Sequence, residues 1–198
     1  NFINLKFDYD KRNQKFQTTD GFRSFYKVDL PIISKTNTLS NTYSFNNYSE
    51  IFNRNILKTS FFFKSALSIT SDDIKLSERI NIPSNKLRGF EYGKIGPKDG
   101  DDYIGGNFVS AVNFSSTLPQ ILENSQSTDF IIFLDIASVW GVDYDSSLGN
   151  SNDIRTSVGI GLDWYSAIGP INFSLAQPIT KDSNDKTESF RFNLGTTF

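Results

Sequence analysis

The sequence predicts an all-β protein, a transmembrane antiparallel β-barrel, from three observations. Between Ile154 and Trp164 the even positions hold apolar residues and one threonine, and the odd positions hold Arg, Ser, Gly, Gly and Asp. Such alternation is typical of a strand with one apolar face, whereas a helix would mix the two sets. Several such segments exceed ten residues, which is long for a soluble sheet and suits a tilted bilayer crossing. The connections alternate between short turns and longer polar loops, as in outer-membrane barrels.

The alternation places nine strands along the chain. After 154–166 the clearest of them is the C-terminal segment, in which Phe190, Phe192, Leu194 and Phe198 share one parity. The predicted strands lie at about 2–12, 22–34, 39–51, 56–70, 107–117, 129–140, 154–166, 170–180 and 188–198.

Two kinds of connection join these strands. Short turns are predicted at 18–21, 52–55 and 166–169, with 118–128 as a longer member of that set, and polar loops at 35–38, 71–106, 141–153 and 181–187. A soluble β-sandwich also has alternating strands and is the alternative at this point. Bacterial membrane barrels have an even number of strands. An odd count therefore predicts that the count is wrong by one or that earlier strands lie outside this sequence.

Composition narrows the classes of function. Lys and Arg total 20 against 22 Asp and Glu, a net charge of −2, which argues against a nucleic acid partner. The sequence has no Cys and no His, which excludes disulfides, Cys/His zinc sites and His-based catalysis. Aromatic residues make up 15% of a chain that is only 37% hydrophobic. One apolar face and one wet face account for this mixture.

The longest loop carries a family resemblance. It contains Leu87-Arg88-Gly89-Phe90, then Ile95-Gly96-Pro97 and Gly105-Gly106-Asn107. These motifs resemble, in the same order, the BamA family of outer-membrane protein assembly factors, whose sixth extracellular loop carries Val-Arg-Gly-Phe. Further motifs follow in the family's order: Phe133-Leu134-Asp135, Val139-Trp140, Trp164, Gly169-Pro170, Ala176-Gln177-Pro178 and a terminal aromatic residue. The resemblance spans 1–198, weakly before residue 57 and strongly after residue 86.

The resemblance implies a function without catalytic chemistry. Family members are sixteen-stranded barrels preceded by POTRA repeats, so residues 1–198 would be the C-terminal portion, about nine of sixteen strands, of one barrel domain. The first strands and the POTRA repeats would lie outside this chain, and 71–106 would be an extracellular loop. The implied protein is a subunit of the bacterial outer membrane, without cofactors, that folds and inserts β-barrel proteins. Its implied partners are unfolded barrel clients, outer-membrane lipids and assembly-complex lipoproteins bound through POTRA repeats.

The resemblance also implies a latch, in which the loop folds back and Arg88 packs against an inward-facing Asp135. Parity agrees, because Phe133, Asp135 and Ala137 share one face of their strand, and a carboxylate is costly on a lipid face. We refer to Leu87, Arg88, Gly89 and Phe90 as the latch motif, with Phe133 and Asp135 as its expected partners on the wall. Three positions depart from the family: Ser115 replaces a second acidic residue, Ala137 replaces a glycine, and Leu87 replaces a valine, which is a mild change.

The last strand is the second implied site. By resemblance, Phe190, Phe192, Leu194, Gly195 and Phe198 belong to a strand that pairs weakly with the first strand and forms a seam. A glycine inside a strand weakens it, and an incompletely paired edge can accept a client strand by β-augmentation. The simpler interpretation is that these aromatic residues face lipid as a girdle.

Two other functions remain open from the sequence. A transport pore of the two-partner-secretion type shares the Arg-Gly-Phe-type loop, and a small complete barrel could serve as a structural anchor or adhesin. The acidic segments 99–102 and 143–145 lack the ligand spacing of an EF-hand, so they are interpreted as solvated loops rather than as metal sites.

Overall fold

A computed structural model of the chain describes residues 2–32, 37–52, 54–118, 127–148, 153–166 and 169–194. Two residues of the predicted seam, Gly195 and Phe198, lie outside these ranges. Eleven strands occur in the described residues. They are β1 (Phe2–Asp10), β2 (Gly21–Pro31), β3 (Thr38–Phe52), β4 (Asn55–Ser68), β5 (Lys98–Asp99), β6 (Asp102–Tyr103), β7 (Phe108–Thr117), β8 (Thr128–Trp140), β9 (Arg155–Ser166), β10 (Gly169–Thr180) and β11 (Phe190–Leu194).

Nine of these strands form one antiparallel sheet, and its order follows the chain: β1-β2-β3-β4-β7-β8-β9-β10-β11. The two remaining strands, β5 and β6, form a separate hairpin within the long loop. The all-β, antiparallel, nine-stranded prediction is confirmed. The described residues contain no helix that is long and apolar enough to cross a membrane.

The two faces of the sheet differ completely in charge. Register places Phe7 opposite Tyr26, Tyr43 opposite Phe63 and Phe173 opposite Phe192 on one face. Followed across all nine strands, this outer face carries no Asp, Glu, Lys or Arg within the strand bounds given above. The charged residues of these nine strands therefore all lie on the inner face. A charge-free outer face is what a lipid environment requires.

One predicted connection is wrong. The sequence pattern continues the first strand to residue 12 and places a short turn at 18–21, but β1 ends at Asp10 and the connection spans 11–20. The chain leaves the sheet because Arg12 turns back to pair with the Asp10 carboxylate at 2.7 Å. Asn13 then bonds the Thr19 hydroxyl at 2.6 Å, closing a wide turn.

The segment between β4 and β7 folds back over the inner face. Its apolar side chains join inward-facing residues of β4, β7 and β8 in one buried cluster: Phe62, Ala66, Ile74, Ile80, Ile82, Leu87, Phe90, Ile95, Val109, Ala111, Ala137 and Val139. A reciprocal backbone bridge between Ile80 and Gly106 closes the base of the loop at 2.7 and 2.9 Å. The loop predicted at 71–106 is therefore folded, and its apolar side chains pack against the inner face of the sheet.

Candidate functional site

The latch motif lies against β8, with Arg88 on Asp135. The Arg88 Nε donates to Asp135 Oδ2 at 2.7 Å, and its Nη2 donates to Oδ1 at 2.7 Å. The backbone N–H of Arg88 adds a third bond to Oδ2 at 3.0 Å. The Asp135 carboxylate is 0% exposed and the Arg88 side chain 12%. A two-point contact of this kind fixes the orientation of the guanidinium as well as its position.

Phe133 provides a platform beneath the arginine. The Arg88 guanidinium carbon lies 3.3 Å from the centre of the Phe133 ring, which is within range of a cation–π interaction. The ring itself lies over Gly159 of β9, where an added Cβ would come within 2.4 Å of Phe133 Cζ and 2.1 Å of the Leu175 carbonyl oxygen. The absence of a side chain at Gly159 therefore allows Phe133 to lie under Arg88.

Sequence reasoning missed a third partner of the pair. Asn113 of β7 lies directly opposite Asp135 in the register. Its Nδ2 donates to Asp135 Oδ1 at 3.0 Å and to the Lys86 carbonyl at 2.7 Å. Ser115, the position that the family resemblance singles out, lines a small cavity beside Arg88 instead. Inward parity could have pointed to Asn113, but the strand register that places it opposite Asp135 is not readable from the sequence.

The backbone carbonyls of the latch motif are bound by the C-terminal strands. Ser157 of β9 donates its hydroxyl to the Arg88 carbonyl at 2.5 Å, and the Glu188 N–H donates to Gly89 at 3.1 Å. The guanidinium of Arg191 on β11 donates to the carbonyls of Leu87 and Phe90. Each of the four carbonyls thus accepts a bond from β9, from β11 or from the residues just before β11.

Two further ion pairs fix the loop region, one of them buried on both sides, and neither was predicted. Arg155 of β9 makes two bonds to Asp185 at 2.8 and 3.0 Å, with side chains 3% and 1% exposed. Arg79 pairs with Asp143, whose Oδ2 also accepts the Ile74 N–H at 2.7 Å. Burial favours the neutral acid, but the Ile74 N–H and the Arg79 guanidinium outweigh it and lower the pKa of Asp143.

The glycine motifs of the loop mark points of close approach to the wall. Gly96 has φ +95, and a Cβ there would lie 2.4 Å from Val139 Cγ1. Gly89, in the latch motif, has φ +90 and would place a Cβ 3.2 Å from that of Ser157. Both positions need the left-handed backbone that glycine adopts without strain.

The three seam residues that the structure describes lie on the opposite face from the latch. Phe190, Phe192 and Leu194 are 54%, 51% and 57% exposed on the outer face of β11. The strand pairs with β10 from Ile171 to Leu175. Within the described residues, β11 and β1 are the two edges of the sheet.

The acidic loops have protein partners in the structure. Asp143 binds Arg79, and Asp99 accepts the Tyr144 hydroxyl at 2.7 Å. In the described ranges no group of three or more His, Cys, Asp or Glu side chains is arranged to hold a metal ion.

Lys86, next to the latch motif, gives a pH-dependent prediction. Burial lowers its pKa from 10.5 to about 8, and the nearby charge of Lys58 adds to this. Between these two values the unfolded chain binds more protons than the folded chain, so stability rises as the pH increases from about 8 to 10.5. We expect Lys86→Met to reduce this rise, to which the half-buried Lys58 and Lys64 also contribute, and to stabilise the protein at pH 7, in urea unfolding followed across that range. Lys75→Met, at an exposed lysine of the same loop, should keep the rise; an unchanged profile in Lys86→Met would contradict the assignment.

A charge-free outer face, together with a long loop packed on the inner face of β4, β7 and β8, defines a class of protein, the outer-membrane β-barrel. The chain belongs to the Omp85 superfamily, because the model of the Omp85 superfamily domain matches residues 1–198. Members of this superfamily are proteins of the bacterial outer membrane, which is the location of this chain.

Relatives and solved structures agree with the motif resemblance. The chain is 32% identical over 139 residues to the outer membrane protein assembly factor BamA of Neisseria meningitidis, covering 57% of this chain and 17% of that protein. It is 30% identical over 117 residues to BamA of Neorickettsia risticii, covering 58% and 16%. BamA from Haemophilus ducreyi lacking POTRA domains 1–3 has a TM-score of 0.83 at 26% identity, covering 96% of this chain and 41% of that chain. The chain thus spans about a sixth of the length of these two curated relatives.

Proposed function

We propose that this chain is the C-terminal part of the barrel of an outer-membrane protein assembly factor, which folds other β-barrel proteins and inserts them into the membrane. The observation that carries the proposal is the seated latch motif: Arg88 on Asp135, with the motif carbonyls bound by the C-terminal strands. The curated relatives that share this region are named outer membrane protein assembly factor BamA.

The proposed mechanism uses backbone pairing and membrane contact rather than covalent chemistry. By the family resemblance, β11 pairs weakly with the first strand of the whole barrel, and an incompletely paired strand presents unpaired N–H and C=O groups. A client strand that adds to such an edge forms hydrogen bonds without leaving the protein, so its backbone need not enter lipid unpaired. The latch motif contacts β8, β9 and β11, so the bound loop would hold these three strands in fixed positions while a client strand pairs with the edge of β11. The protein is accordingly proposed to be non-enzymatic and to act without a cofactor.

The proposed partners are the molecules that this mechanism requires at the strand edge and at the outer face. Unfolded outer-membrane β-barrel proteins are the clients, and lipid contacts the charge-free outer face. Assembly-complex lipoproteins would bind through POTRA repeats elsewhere in the whole protein.

A reconstitution tests the function. We expect liposomes that contain the whole protein to convert a urea-unfolded client barrel to its folded form severalfold more than empty liposomes do, as judged by mobility on gels without boiling. Equal folding in both preparations would overturn the proposal.

Planar bilayers separate insertion from transport. The loop packs on the inner face of β4, β7 and β8 and so obstructs a path along that face, and we expect small and irregular currents. A large steady current, together with passage of a dedicated exported protein, would instead favour a transport pore.

A further inference from the structure

Arg191 is one of two inward-facing residues of β11, with Asn193, and it lies between the outward-facing Phe190 and Phe192. Its side chain is 8% exposed. The guanidinium donates to three backbone carbonyls of the long loop, those of Ser84, Leu87 and Phe90. A single side chain of the terminal strand therefore reaches both ends of the latch motif.

Glu188 holds the guanidinium in place. Its Oε2 accepts from Arg191 Nη2 at 2.8 Å and from Nε at 3.2 Å. The same residue uses its backbone N–H to bind the Gly89 carbonyl at 3.1 Å. Arginine suits this position because its five donors form a rigid planar fork, whereas a lysine ammonium is a single flexible point of charge.

Several bonds join the terminal strand and the residues just before it to the motif. On one side β11 pairs with β10 over five positions. On the inner side it is bound to the loop through Arg191, and a bridge joins Thr187 to Phe90 just before the strand. Movement of either element alone would leave the buried guanidinium or the motif carbonyls without partners, which is costly away from water.

We propose that Arg191 is a positioning residue that couples the terminal strand to the latch motif, so that the two loosen together and are seated together. The coupling is reciprocal: release of the loop weakens the hold on β11, and displacement of β11 weakens the hold on the loop. The coupling itself does not depend on the proposed function. Only its use rests on that function: the coupling would link the position of the loop to the edge of β11 that a client strand would meet.

Hydrogen–deuterium exchange on the whole protein in lipid nanodiscs tests the coupling without any client. We expect Arg191→Ala to accelerate exchange about tenfold or more in both 84–90 and 188–194, since bonds to a charged donor are lost from both segments. Arg191→Lys should give a smaller acceleration of both. Faster exchange in 188–194 with 84–90 unchanged would overturn the proposal.

Two further variants keep the test decisive. Glu188→Gln leaves Arg191 in place but loosens its guanidinium, so both segments should change modestly even if Arg191→Ala does not fold. Arg23→Ala removes an arginine whose partner is Asp8 at the far side of the sheet, and neither segment should respond. The exchange experiment needs no client protein. Unchanged exchange would therefore contradict the coupling, whereas failure of client insertion would contradict the proposed function.

Discussion

Arg88→Ala should free the long loop from the inner face and destabilise the folded barrel by about 3 kcal/mol, within the range seen when one partner of a buried ion pair is removed. The fully buried Asp135 would lose two of its four hydrogen bonds and keep those from the residue 88 N–H and from Asn113. Limited proteolysis between residues 84 and 90 and urea unfolding of the whole protein measure the two effects.

Two controls sharpen this prediction. Arg88→Lys keeps the charge but cannot make the two-point contact or lie flat on Phe133, so an intermediate loss is expected. Arg23→Ala removes a half-exposed pair elsewhere on the inner face and should cost well under 1 kcal/mol, as exposed pairs do. If Arg88→Ala behaved like Arg23→Ala, the pair would not hold the loop.

Gly159→Ala should be the second most damaging change, although it adds a single methyl group. The new Cβ would lie 2.1 Å from the Leu175 carbonyl oxygen and 2.4 Å from Phe133 Cζ. Since one obstacle is backbone, β9 and β10 must shift, and the Phe133 ring must leave its place under Arg88. Overpacking of this kind typically costs about 1–3 kcal/mol, and we expect a lower melting temperature with faster cleavage of the loop.

Gly161→Ala is the matched control on the same strand and face. Its nearest obstacles are the Ile131 side chain at 2.8 Å and the Phe173 carbonyl oxygen at 3.1 Å, so the backbone clash is less severe than the 2.1 Å approach at Gly159. A smaller loss of stability with a protected loop is expected. Equal effects at both glycines would mean that the strand, rather than the Phe133 platform, is sensitive.

The sequence was most informative about period and face. Alternation predicted nine strands to within a few residues at most ends, and it put Asp135 and Arg191 on the parity opposite the lipid-facing aromatic residues. It was misleading at 11–20, where paired side chains turn the chain out of the sheet two residues before the predicted end of the strand. The periodicity of apolar residues predicts where a strand lies, but it does not predict the local side-chain hydrogen bonds that end the strand.

Partners distant in sequence could not be predicted. The bonds from Arg191 to the loop join residues 101 to 107 positions apart, and Asp185 lies 30 positions from Arg155. Parity says only that these side chains point inward. Which inward-facing side chains contact each other depends on the strand register and on how the loop folds. Neither of these can be predicted from the periodicity of the sequence.

The most direct test of the account is a double-mutant cycle with client folding as the readout. Arg88→Ala, Asp135→Ala and the double variant of the whole protein would be reconstituted in liposomes, and the yield of folded client barrel measured for each. Each single variant should lower the yield substantially, and the double variant should be little worse than either, because one interaction is lost only once. Losses that add fully, or yields equal to wild type, would contradict the claim that this pair seats the loop for insertion.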